Sequence, residues 1–188
     1  MKKILTLIFI GLLASSCKKD FLELSPQDQY SPGNFYKTEP QFRQAVNAAY
    51  TPLRSLLDND YFTSEGRSGN THYEYNAGQR GTAYLQRESI VDFTDDPTNA
   101  YTNAVYFHCY SSISKANVVI SRIGAADFAE SAKNPLEGEA RFLRAWNYFR
   151  LVRYFGGVPL YLNEVTTADE AFLPRSTVEQ VYAQIIAD

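Results

Sequence analysis

Cysteine, histidine and concentrated positive charge are all scarce in this 188-residue chain. Cys17 and Cys109 are the only cysteines, so a multiply disulfide-stapled fold is excluded. The two histidines are His72 and His108. His108 and Cys109 project about 100° apart on a helix and cannot chelate one ion together, so no metal and no other cofactor is expected. The formal charge is −3, with no basic run or tail, which argues against nucleic acid as a partner. No apolar run approaches the roughly 20 residues a membrane-spanning helix needs. There is no Gly-x-Ser-x-Gly elbow for a nucleophile. Glu65, Glu74, Glu88 and Asp92 are carboxylates, but nothing in their spacing marks out a glycosidase pair, and catalysis is not expected.

The first 17 residues carry an address. Lys2 and Lys3 precede an apolar run over residues 4–13, then Ala14-Ser15-Ser16 and Cys17. A run of about 10 apolar residues followed by small side chains fits a signal-peptide core and its cleavage site. A cysteine directly after that site points to a bacterial lipoprotein, cut before Cys17 and acylated on it. Ala14 departs from the larger apolar residue usual at that place. The alternative is an ordinary secretory signal that happens to precede a cysteine. Removing residues 1–16 takes away two lysines and lowers the charge to about −5, leaving the lipid as the membrane attachment. With Cys17 acylated no internal disulfide remains, and Cys109 reads as a small buried apolar residue.

Residues 17–38 read as an extended tether, punctuated by Ser25-Pro26 and Ser31-Pro32-Gly33. Helical periods then dominate. A first helix is predicted over about 39–57, on the stripe Phe42, Val46, Ala49, Leu53 and Leu56. Thr38 is its N-cap, and Pro52 is expected to kink or split it. Residues 58–97 show no sustained period. So long an irregular stretch is uncommon in a compact domain unless it is functional or has structure of its own. Asp95 and Asp96 read as turn and helix-start residues. A second helix is predicted over about 100–123, with Tyr106, Cys109, Tyr110, Ile113, Ala116, Asn117 and Ile120 on one face.

The third helix, over about 135–155, is apolar almost all round and is expected to be packed on several sides, with Trp146 in the core. Its polar strip is Arg141, Arg144, Asn147, Arg150 and Arg153. These arginines are expected to serve helix-end carbonyls and acidic partners rather than an anion site. Gly156-Gly157 stop the helix, and residues 158–162 read as a short extended segment. The last helix opens on Ser176-Thr177-Val178-Glu179, read as a capping box with Glu179 reaching back. Its stripe is Val178, Val181, Tyr182, Ile185 and Ile186, and that face is expected to need a further helix. The fold class is all-α, with an incomplete helical domain over 39–188.

Residues 137–161, Glu-Gly-Glu-Ala-Arg-Phe-Leu-Arg-Ala-Trp-Asn-Tyr-Phe-Arg-Leu-Val-Arg-Tyr-Phe-Gly-Gly-Val-Pro-Leu-Tyr, resemble the signature of the SusD/RagB family of outer-membrane glycan-binding lipoproteins. Phe21-Leu22-Glu23 with Pro26, after the cysteine, is similar to the family's opening segment. Tyr106, Tyr110, Ile113, Ala116 and Asn117 match its second-helix pattern, with Tyr106 where a tryptophan is usual. Pro174-Arg175-Ser176-Thr177, then Val181-Tyr182 and Ile185-Ile186, match the next helix. The resemblance implies tetratricopeptide-like helix pairs with long irregular loops, this chain being roughly the N-terminal third. It also implies a surface-exposed protein, lipid-anchored in the outer membrane, that acts as a lid on a SusC-like TonB-dependent transporter. Such a protein captures an oligosaccharide or other nutrient without catalysis and passes it on. The alternative is an interaction subunit that docks the transporter with little sugar affinity of its own.

Sugar recognition needs flat aromatic faces and planar polar side chains. The 58–97 stretch holds Tyr61, Tyr73, Tyr75 and Tyr84 among Asn70, Asn76, Gln79, Arg80 and Gln86. Tyr73, Tyr75, Arg80 and Tyr84 are the candidate ligand contacts, although tyrosines in a loop also pack it onto its helices. For the address segment the expected outcome is specific. Cys17→Ser moves the protein from the membrane to the soluble fraction on cell fractionation, with its circular dichroism unchanged.

Overall fold

Thr38 holds an extended backbone and Pro40 fits the first turn, so the chain turns into a helix at Glu39. The Gln41 side chain secures that start by accepting from the backbone N–H groups of Lys37 (2.9 Å) and Thr38 (3.1 Å). The structure, a computed structural model, describes residues 34–188, of which Tyr36–Asp188 form one unit. Cys17, the signal segment and nearly all of the expected tether lie outside the described residues.

Helix α1 spans Glu39–Ser64, seven residues beyond the predicted end. Pro52 neither ends nor splits it and is buried inside it. The added turns are polar because they meet another helix. Asp60 forms an ion pair with Arg150 and accepts from the Tyr154 hydroxyl at 2.8 Å. A second departure is α2, Thr82–Val91, a helix inside the stretch predicted to be irregular. It is anchored by Ile90, which is wholly buried.

Helix α3 spans Ala100–Ile123, as predicted. Its cap is Asn99 rather than Asp95 or Asp96: the Asn99 side-chain oxygen Oδ1 accepts from the backbone N–H groups of Tyr101 (3.0 Å) and Thr102 (3.3 Å). Asp96 does serve the preceding turn, accepting from Thr98 N–H at 2.7 Å.

Helix α4 spans Glu130–Phe155, starting five residues before the predicted start. Pro135 lies inside the helix, as its sixth residue, and forfeits the backbone hydrogen bond its N–H would have made. The extra turn is held by Lys133, buried, whose Nζ donates to Glu130 at 2.8 Å and to the Gly124 carbonyl. Helix α5 spans Val178–Ala187. Its capping box is Thr177 with Gln180, one residue later than predicted. Ser176 N–H is already committed to the Val158 carbonyl at 3.1 Å, which delays the helix by one position.

The long helices pack in order, α1 on α3, α3 on α4 and α4 on α5, with α1 also touching α4. Their shared core includes Leu56, Val105, Cys109, Ile113, Tyr148 and Val181. Among the described residues there is no strand, and one 3-10 turn covers Asp169–Ala171. The 158–162 segment forms no strand and bonds to side chains. Tyr110 Oη donates to the Pro159 carbonyl (2.7 Å), and Asn117 Nδ2 to the Tyr161 carbonyl (2.7 Å). The Tyr148 hydroxyl accepts from Tyr161 N–H at 2.7 Å. Arg144, 3 % exposed, donates to Leu162 O at 2.7 Å, to Asn117 Oδ1 at 2.9 Å and to the Asp188 carboxylate. The expected carbonyl and carboxylate partners of the α4 arginines are thus present for Arg141, Arg144 and Arg150, while Arg153 stacks over Phe149.

Helix α4 is packed on several sides, against α1, α3 and α5, as expected, though Phe142 is 61 % exposed and Phe149 also faces outward. One expectation about it needs correcting. Trp146 lies at the edge of the core, half-buried beneath the Arg150 guanidinium. The α5 stripe is likewise only partly covered: Val181 is buried, but Ile186 is 84 % exposed.

The α4–α5 connection depends on two glycines. Gly156 takes φ +69°, a conformation that side chains resist. A Cβ on Gly157 would lie 2.1 Å from the Ser176 carbonyl oxygen. Gly157→Ala is therefore expected to cost about 1–3 kcal/mol of stability, read from urea unfolding midpoints. Cys109 gives a second expectation. Burial pushes its thiol up to about 12 from an ordinary 9.0. The fold thus favours the neutral thiol; that contribution is complete below about pH 9 and fades as pH rises toward 12. At pH 8, iodoacetamide should label Cys109 in peptide maps only as urea unfolds the protein.

Candidate functional site

Between the end of α1 and the start of α3 the chain folds around a guanidinium. Arg87, on α2, donates from Nε to the Tyr101 hydroxyl (2.6 Å) and from Nη1 to the Tyr73 hydroxyl (3.2 Å). Its Cζ lies 4.5 Å from the centre of the Phe62 ring, 5.2 Å from Tyr101, 5.7 Å from Tyr73 and 5.8 Å from Tyr84. The rings also touch one another, Phe62 to Tyr101 at 5.0 Å and Tyr73 to Tyr84 at 5.7 Å between centroids. The hydrogen bond to Tyr73 holds the Arg87 pKa above its ordinary value, against the opposing effect of burial. One cation thereby gathers α1, the 65–81 segment, α2 and α3 around itself.

A second group faces outward. Tyr75 is 66 % exposed, and the Arg80 guanidinium lies 4.5 Å above its ring. Arg80 is fixed by Glu88, with Nη1 donating at 2.7 and 2.8 Å to its two oxygens. The turn between them is local: Asn76 Oδ1 accepts from Gly78 N–H at 2.9 Å, and the Asn76 carbonyl from Gln79 N–H. The result is a ring face and a guanidinium plane presented together at the surface.

The four residues singled out from sequence therefore divide. Tyr73 and Tyr84 are half-buried around Arg87, whereas Tyr75 and Arg80 form the exposed pair. Sequence reading missed Phe62, Arg87 and Tyr101. Tyr84 and Arg87 are three apart, which places them on one helix face. That signal was hidden because α2 buries only Ile90 and so shows no apolar stripe.

Anchoring comes from Asn99, 3 % exposed. While its oxygen caps α3, its Nδ2 donates to Gln86 O (2.8 Å) and Ser89 Oγ (3.2 Å) on α2. On the floor of the loop, Asp95 pairs with Arg67 and accepts from Thr102 Oγ1 at 3.0 Å. A separate groove of about 580 Å³ runs along α3, lined by Tyr106, Phe107, Tyr110, Tyr161 and Val165. Burial raises the Tyr110 pKa, so that hydroxyl stays protonated as a donor to Pro159. Neither Tyr73, Tyr75, Arg80 nor Tyr84 lines this groove; the exposed Tyr75–Arg80 pair is an open platform apart from it.

Comparison with known proteins agrees with this architecture. A SusD-like family model, described as starch-binding and associating with the outer membrane, matches residues 20–188. The chain is 30 % identical over 183 residues to SusD-like protein P2 of Formosa agariphila, covering 96 % of this chain and 35 % of that one. SusD-like protein P38 of the same organism is 31 % identical over 98 % of this chain and 35 % of its own length. The chain thus spans about a third of the length of these relatives. Among solved structures, a SusD-like protein from Bacteroides fragilis superposes with a TM-score of 0.65 at 25 % identity, over 87 % of this chain and 31 % of the other. Surface glycan-binding protein A from Bacteroides uniformis superposes at 0.63 with 23 % identity, over 80 % and 33 %, which is likeness of fold. The long match along the sequence and the same helical, tetratricopeptide-like architecture lead to one assignment: the chain belongs to the SusD-like family.

Proposed function

We propose that this protein captures oligosaccharide at the cell surface, without catalysis, and hands it to a SusC-like TonB-dependent transporter in the outer membrane, where a lipid on Cys17 holds it. The observation that carries the reading is the exposed Tyr75–Arg80 pair. The flat face of a tyrosine suits the C–H face of a pyranose ring, and a fixed guanidinium plane offers hydrogen bonds to its hydroxyls. Because Glu88 holds Arg80 in place, little side-chain entropy is lost when a ligand arrives. The family description, starch-binding and outer-membrane associating, supports the ligand class and the location.

The second reading is an interaction subunit that chiefly docks the transporter. The apolar groove along α3 favours it, since Phe107 is exposed there beside Tyr106 and Tyr110. Calorimetric titration of the full-length protein against a panel of oligosaccharides separates the two. Capture through the platform predicts that Tyr75→Ala weakens binding about tenfold, as expected for losing roughly 1.4 kcal/mol of aromatic contact, with a smaller loss for Arg80→Ala. Unchanged affinity in both variants would place the contact elsewhere. Absence of binding to every glycan, alongside tight association with the transporter, would favour the interaction subunit.

A further inference from the structure

The arginines of the 61–101 region are Arg67, Arg80 and Arg87, and only the first two have carboxylates. Arg67 pairs with Asp95 and Arg80 with Glu88. Arg87 is half-buried, yet no Asp or Glu among the described residues pairs with it. Its partners are two neutral phenol oxygens and four aromatic faces, which favour the cation without cancelling its charge. The cluster therefore carries a positive charge with no carboxylate paired to it.

The hydrogen-bonding balance points the same way. A guanidinium has five N–H donors, and those two bonds leave the other three uncommitted. Each phenol that accepts from Arg87 keeps its own O–H to donate. The cluster is therefore rich in donors, positively charged and walled by rings. It complements a small anion with several acceptor oxygens, carried on a body that can lie against aromatic faces. A carboxylate meets that requirement well, because a guanidinium binds it through parallel hydrogen bonds; a sulfate ester offers the same acceptors.

We propose that Arg87, with the Tyr73 and Tyr101 hydroxyls, recognises an anionic sugar residue, a uronate or a sulfated pyranose, within the captured glycan. The inference rests on the glycan-capture reading above and narrows its ligand class. Arg80, neutralised by Glu88, would then serve an uncharged residue of the same chain through its hydroxyls. Tyr73 and Tyr75, two residues apart, link the charged and uncharged contacts.

The test uses matched pairs of probes with the full-length protein: tetragalacturonate against its methyl ester, and a sulfated carrageenan tetrasaccharide against its desulfated form. Calorimetry should show at least one charged member binding about tenfold tighter than its neutral partner. That preference should shrink as salt rises from about 0.05 to 0.5 M. Arg87→Gln should bring the charged and neutral members to within about twofold of each other, and Arg87→Lys should restore part of the preference. Tyr73→Phe and Tyr101→Phe keep the rings and should each lower the charged affinity severalfold; they carry the test if Arg87→Gln melts early. Equal affinity within both pairs, or a preference that survives Arg87→Gln, would overturn the inference. Binding of neutral glycans with no binding of either charged probe would overturn it alone, leaving capture intact. No binding of any glycan would overturn capture as well.

Discussion

A single buried guanidinium decides how the helices of this unit can meet. Arg144 sits on α4 and reaches α3 through Asn117, the 158–162 segment through the Leu162 carbonyl, and the end of the chain through Asp188. Removing Asp188 would leave Arg144 buried without a counter-charge, a loss of several kcal/mol in comparable sites, whereas Asp188 without Arg144 would keep Arg141 at 3.4 Å. Hydrophobic contacts between helices tolerate sliding, whereas a guanidinium with fixed donor directions does not. The apolar core supplies adhesion, and Arg144 supplies register. Asn117 relays that register outward, since its Nδ2 holds the Tyr161 carbonyl while its oxygen accepts from Arg144.

The loop region repeats the device at lower burial. Arg87 organises four rings from three helices and the intervening segment, and Asn99 fastens α2 to the first turn of α3. The exposed Tyr75–Arg80 pair depends on this arrangement, because Glu88 lies on the same short helix as Arg87. Binding surfaces built on irregular segments need such internal anchors, or the entropy of ordering them would erase weak ligand contacts. A platform stabilised by its own cation can remain outside the helical core and still be pre-formed.

The sequence was most legible where burial is one-sided and periodic. Helix α3 is placed to the residue by its stripe, and α5 by a hydroxyl cap and the Val181 face, although the cap is Thr177 rather than Ser176. Legibility failed where polar residues do interhelical work. Asp60 reads as a loop residue, yet it continues α1 because Arg150 and Tyr154 await it. Lys133, which no apolar period singles out, is buried against the end of α3. Helix α2 escaped notice since one isoleucine is all it buries. The candidate site shows the same division. Its aromatic and planar polar composition was visible in residues 61–86, but the sorting of Tyr73 and Tyr84 from Tyr75 depends on Arg87, and no sequence period reveals a shared partner.

The close approach at Gly157 has an electrostatic consequence. Where that glycine meets Ser176, the carbonyl end of α4 lies beside the amide end of α5, so partial charges of opposite sign face each other across a backbone contact. Arg175 reinforces the junction by donating at 2.7 Å to both Phe155 O and Gly157 O, the carbonyls that the end of α4 leaves open. The turn from one helix pair to the next is therefore set by main-chain dipoles and one guanidinium. Substitutions at exposed positions around it leave those backbone dipoles, and hence the direction of the turn, in place.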